Sequence, residues 1–224
     1  MALIFLLCFG SEMDEEIKIE QIHTELSKYA IFSQLQKDNL NLMTTKGLVH
    51  DHVWIKPDSC SDHSMMVRVP RLSQFGLDPR ENLKYQSACF SKASLSNHTP
   101  KLILVVEPSA CLPMGALVVE FIQGKNIVLP KDLNGMAECF ARVHSLKTPR
   151  NPAPSGLVYH IDPIAGVVNT IKEQSKFIND ATDDIQVQKI LNEEVEWASE
   201  FAIQNSNLPP SPRLCLTDTH PGNF

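Results

Sequence analysis

Two residues near the end of the chain are placed to do chemistry. Asp218 and Asn223 are a carboxylate and a carboxamide five positions apart on a loop held by Pro221 and Gly222. In phosphoryl transfer the protein mainly positions groups, so an Asp reaches the acceptor hydroxyl while an Asn of the same loop turns back to a magnesium ion. The spacing suits that division of roles. It equally suits a plain turn in which both side chains cap backbone groups. His50, Asp51 and His52 could suggest a metal site, but no third ligand is placed by spacing and a solvated turn is the simpler expectation. A metal hydrolase built from Asp218, His220, His144 and His160 has no spacing in its favour.

The elements that must position these groups follow from periodicity. Ile19, Ile22, Leu26 and Tyr29 recur at three- and four-residue steps and predict an amphipathic helix from Asp14 to about Gln36. Short apolar runs broken by polar turns predict strands at Val53–Ile55, Met65–Val69, Leu102–Val106 and Leu117–Ile122. A short helix from Pro79 to about Phe90 interrupts them, opened by Asp78-Pro79. After Gly124 the pattern turns helical. Leu133, Met136, Ala137, Phe140 and Val143 mark one face with Asp132 as N-cap, and two more helices follow near 164–178 and 187–203. Pro209, Pro210 and Pro212 then impose an extended approach to Leu214-Cys215-Leu216, which delivers the Asp218 loop.

Composition bounds the partners. A chain of 224 residues with 43% apolar content can bury a substantial core, and its net charge of −6 without a Lys/Arg run argues against nucleic acid or anionic membrane. Six widely spaced cysteines without a C-x-x-C pair suit reduced thiols and a cytoplasmic setting. The apolar stretch Ala2–Phe9 lacks a basic flank and is too short to span a bilayer, so residues 1–13 read as an extension ahead of the fold.

Leu214 to Phe224 resembles the catalytic loop of the aminoglycoside phosphotransferase family, an apolar strand followed by H-G-D-x-H-P-G-N and an apolar residue. Asp218, His220, Pro221, Gly222 and Asn223 match, while Leu216 and Thr217 stand where the family has His and Gly. Further family features occur upstream in order. Met65-Met66-Val67-Arg68-Val69-Pro70 is similar to the strand carrying the ATP-phosphate cation, with Arg68 in that place, and Arg80-Glu81 is similar to the start of its partner helix, with Glu81 as the carboxylate. Gly47 lies where the nucleotide-covering hairpin belongs. Leu117 to Gly124 resembles the hinge between lobes, where the backbone of Glu120 and Ile122 meets the adenine edge. Ala141 to Leu146 is similar to a helix whose His144 is structural.

The resemblance implies an α+β, protein-kinase-like two-lobe fold: a small, mostly antiparallel β lobe over 14–123 and a helical lobe over 124–224, incomplete because the sequence reaches Phe224 before the family's second magnesium-binding Asp. It implies ATP and Mg2+ as cofactors, Asp218 as the group that orients or deprotonates the acceptor, Asn223 as a metal ligand, and a small molecule with a hydroxyl as acceptor. The alternative is a nucleotide-binding remnant of the same fold without turnover. A protein partner is expected only where an incomplete edge lies exposed.

Overall fold

The computed structural model describes residues 15–43, 49–56, 64–147, 156–158, 160, 162–206 and 213–215. Gly47, Asp218, His220, Pro221, Gly222 and Asn223 lie outside the described residues. The chain divides into two compact units, Met1–Leu146 with Cys215–Phe224 and Lys147–Leu214.

The first unit is built on a five-stranded antiparallel sheet, so the α+β class and the small antiparallel β lobe are as the sequence implies. Its strands are β1 (Leu40–Leu42), β2 (His50–Ile55), β3 (Met65–Pro70), β4 (Leu102–Val106) and β5 (Ala116–Glu120), in spatial order β1-β2-β3-β5-β4. β5 is therefore an interior strand, flanked by β3 and β4. β1 is a short edge strand without a sequence signal. His50, Asp51 and His52, expected in a solvated turn, instead open β2, with His50 and Asp51 only 9% and 8% exposed. The strand reaches back to them because His50 pairs with Pro70 and His52 with Arg68.

Side chains alternate across the sheet. One face carries Val53, Ile55, Met65, Val67, Val106, Ala116 and Val118, covered by Ile22 and Leu26 of helix α1 (Glu15–Leu26). The helix is held at both sides of the sheet: Lys18 Nζ donates to Asp51 Oδ2 at 3.0 Å, and Glu25 accepts from Ser109 Oγ at 2.8 Å and from Lys28 Nζ at 2.6 Å. The other face carries Met66, Leu117, Val119, Leu102 and Val105, and packs on Leu83 and Phe90 of helix α2 (Pro79–Ala93). Asp78 caps α2 by accepting from the N–H groups of Arg80 and Glu81. Gly115, at φ +66°, turns the β4–β5 connection so tightly that a Cβ there would lie 2.5 Å from the Val106 carbonyl oxygen.

The first helix ends ten residues before the expected Gln36 and gives way to 3-10 turns at Ala30–Phe32 and Lys37–Asn39. Spacing explains the break. Leu26, Tyr29, Phe32 and Leu35 recur every three residues, and nine residues of straight α-helix rotate by about 180° relative to the starting face, which would aim Leu35 away from the core. The turns keep Phe32 and Leu35 buried beside Leu26.

Helix α3 (Leu133–His144) belongs to the first unit, where Cys139 Sγ lies 3.7 Å from the His98 carbonyl oxygen. Asp132 does not cap it as expected; its carboxylate accepts from the Val128 N–H at 2.8 Å instead. In the second unit, α4 (Pro163–Ala181) and α5 (Ile185–Gln204) form a hairpin joined by residues 182–184. Asp162 and Asp184 cap their first turns, and Gln188 Nε2 ties the turn by donating to the Thr182 and Asn179 carbonyls. Among the described residues, no helix is long and apolar enough to cross a membrane.

Candidate functional site

Of the described site residues, Glu120, paired with Met65, alternates onto the α1 face of the sheet, whereas Arg68 lies on the α2 face. β2 places His50, His52 and Trp54 there, β3 places Met66 and Arg68, and β5 places Leu117 and Val119. Register sets two rows. His52, Arg68 and Leu117 form one; Trp54, Met66 and Val119 form the next, toward the end of β5.

The second row is apolar and aromatic. Trp54 and Phe121 approach at 5.8 Å between centroids with planes tilted by 40°, and Lys56 Nζ lies 5.9 Å from the Trp54 ring centre. The indole Nε1 of Trp54 is buried without a hydrogen-bond partner. Past β5 the backbone donors divide. The N–H of Glu120 donates to the Lys101 carbonyl at 2.9 Å and that of Phe121 to the Ser64 carbonyl at 3.0 Å. Among the described residues no hydrogen bond engages the N–H of Ile122, a residue 54% exposed. The Glu120 side chain turns away from that donor to accept from the Lys101 N–H at 3.3 Å.

The first row is cationic. The Arg68 guanidinium lies 5.0 Å over the Phe90 ring, and its Nε is buried with no hydrogen-bond partner. Burial pushes its pKa down from the ordinary arginine value. The ring of His52 stacks on His50 at 6.1 Å with planes 8° apart, and His50 Nε2 donates to Gln86 Oε1 at 3.1 Å. Burial, then the Arg68 charge, then His50, hold His52 down to about 4. Burial and the Arg68 charge lower His50 in the same sense, against the Gln86 hydrogen bond. Both shifts favour the neutral ring, and Arg68 carries the local charge.

The expected pairing of Arg68 with Glu81 is absent: Glu81 is exposed in the first turn of α2, and among the described residues no ion pair reaches Arg68. Helical geometry gives the reason. The stripe of α2 turned to the sheet runs through Asn82, Leu83, Gln86 and Phe90, and Glu81 is rotated about 100° from Asn82. The helix meets the strand cation with the aromatic ring of Phe90 in place of a carboxylate. His144 is half-buried with its ring 6.0 Å from that of Phe140, and His160 lies against Gly166 in the second unit. Among the described residues, no group of three or more His, Cys, Asp or Glu side chains could hold a metal ion.

Sequence reasoning missed His50, His52, Trp54, Gln86 and Phe90 as a set. The signal lay in the alternation from His50 to Ile55, which continues the strand period through the polar residues. Nothing local in α2 marks Gln86 and Phe90; register and helix docking bring them in.

No protein-family model matches the sequence, and no curated protein does. Among solved structures, an ethanolamine kinase of Plasmodium vivax is similar over 89% of this chain and 59% of its own, with a TM-score of 0.49 and 17% identical residues. The chain thus spans 59% of that protein's length.

Proposed function

We propose that the chain is a nucleotide-binding phosphotransferase of protein-kinase-like fold that uses ATP and Mg2+ to phosphorylate a hydroxyl of a small molecule. Its sequence resembles the aminoglycoside phosphotransferases in motif order, with the resemblance resting on the residues quoted above. The observation that carries the reading is Arg68: a cation on the third strand, with a buried unpartnered Nε, on the same sheet face as the Trp54–Phe121 aromatic wall. Protein kinases likewise carry their phosphate-binding cation on the third strand. In this reading the adenine lies along Trp54, Met66 and Val119, with its edge at the backbone of Glu120 and Ile122, whose N–H has no partner among the described residues, and the phosphates lie against Arg68 and the backbone of Gly47.

Asp218 then orients or deprotonates the acceptor hydroxyl, and the carboxamide of Asn223 holds magnesium. Carboxylate and carboxamide oxygens are the hard donors that this ion prefers, and the ion supplies charge neutralisation at the transferred phosphoryl group. Glu81 has no place beside Arg68 in this arrangement. One observation favours a second reading, a nucleotide-binding protein without turnover: among the described residues Arg68 has no carboxylate partner of the kind that active kinases require.

The experiment takes the full chain with Trp197→Phe, leaving Trp54 as the sole indole, and titrates MgATP while following fluorescence. Saturable change supports the nucleotide site; a flat titration removes it. Transfer of labelled γ-phosphate to a panel of alcohols, lost in Asp218→Ala while ATP still binds, selects the enzyme reading. Binding without transfer selects the remnant.

A further inference from the structure

The cationic row holds two histidines that the phosphotransferase reading does not use. His52 stands directly across from Arg68 in the β2–β3 pairing, so the two side chains leave the sheet on the same face as neighbours. The His52 ring is fixed by stacking on His50, and His50 is fixed in turn by its hydrogen bond to Gln86 of α2. That bond makes Nε2 the protonated nitrogen of His50. The result is a row of basic groups beside a guanidinium whose buried Nε has no hydrogen-bond partner.

The charged surroundings of His52 are few. Arg68 faces it from β3, His50 adjoins it on its own strand, and Arg71 follows β3. Asp51, the acid that acts on it in the opposite sense, points to the other face and is engaged by Lys18 at 3.0 Å and by Arg71 at 3.9 Å. From α2 the row meets the neutral Gln86, and just past β1 the Met43 N–H donates to the His52 carbonyl. No acid on this face neutralises the row among the described residues.

We propose that His52 is a second phosphate ligand beside Arg68, held in place by His50 and Gln86, and that a polyphosphate bound there is taken up together with a proton. An empty site keeps the imidazole neutral, because a second positive charge beside Arg68 is disfavoured in partly buried surroundings. A polyanion seated on Arg68 reverses the local field and draws a proton onto the ring, which then donates to a phosphate oxygen. Affinity therefore rises as pH falls. That the physiological polyphosphate is a nucleotide rests on the reading above; the grip on phosphate does not.

The test uses inorganic tripolyphosphate as probe and the full chain as protein. Calorimetric titrations from about pH 8 to about pH 6, in buffers of different ionisation enthalpy, measure affinity and proton uptake together. Linkage of one proton steepens the dependence by up to about tenfold per pH unit. His52→Asn and His52→Gln, both checked for an unchanged melting point, lose that extra steepness and the proton uptake, whereas the titration of the probe itself is common to all three proteins. Equal pH dependence in wild type and both variants overturns the proposal, as does absence of tripolyphosphate binding. Tripolyphosphate binding with proton uptake, but without ATP binding, leaves the phosphate grip standing and removes the nucleotide reading.

Discussion

Replacing Arg68 by Met separates what this side chain does for the fold from what it does for a ligand. In the unliganded protein the guanidinium is largely buried, its Nε has no partner, and its one described attractive contact is the Phe90 face at 5.0 Å. Losing that contact costs ~0.5–2 kcal/mol. Replacing buried ionic groups by apolar side chains of similar length is often neutral or stabilising, by ~1–4 kcal/mol. The balance favours the variant by about 1 kcal/mol, which in a domain of this size raises the melting temperature by about 2–4 °C. Function moves the other way: loss of a charged hydrogen bond to phosphate removes ~1.5–3 kcal/mol, or roughly 10–150-fold in ATP affinity. Scanning calorimetry without nucleotide, repeated with MgATP, reads both. A variant that melts several degrees below wild type without nucleotide would refute the reasoning, because Arg68 would then be held by attractions that outweigh its burial.

Further expectations follow from other parts of the first unit. Ile122→Pro removes the free backbone donor past β5 while leaving the sheet bonds of Glu120 and Phe121; ATP affinity should fall about tenfold for one lost hydrogen bond, with tripolyphosphate affinity unchanged in the same calorimeter. Gly115→Ala places a Cβ 2.5 Å from the Val106 carbonyl oxygen at φ +66°, and should destabilise by ~1–3 kcal/mol or more, seen as a lower urea midpoint. Glu25 is held below the usual carboxylate value of 4.5, first by its hydrogen bond with Lys28. Its stabilisation is therefore present above that pH and is lost as pH falls through the lower folded-state value. Glu25→Gln should cost ~1–2 kcal/mol near neutrality, and the gap to wild type should close on acidification in a pH series of thermal melts.

Much of the fold was legible because periodicity is a local property. The α2 start at Asp78-Pro79, the β3 and β4 runs and the three later helices could all be located from neighbouring residues. What depended on partners could not. β1 is three residues whose pairing with β2 defines it, and the early end of α1 reflects where Phe32 and Leu35 must be buried. At the site, Arg68 could be placed on a strand from its apolar flanks. Glu81 was misplaced because the motif fixes a residue type at a helix start, whereas the face presented to the sheet depends on the docking of Leu83 and Phe90. The place of His50 and His52 on the Arg68 face required the pairing of β2 with β3, which sets His52 opposite Arg68, sixteen positions on, and His50 opposite Pro70, twenty positions on.

The hydrogen bond from Ser109 to Glu25 joins positions 84 apart in the sequence, and this separation constrains the order of assembly. Helix α1 is synthesised ahead of the sheet, yet one of its two anchors is made only after the β4–β5 turn has been synthesised. Until then Ile22 and Leu26 lack their full covering, and the chain carries an unsealed apolar surface through the synthesis of most of the first unit. Nascent-chain proteolysis should accordingly find α1 open to cleavage until Ser109 has cleared the exit tunnel, and protected soon afterwards.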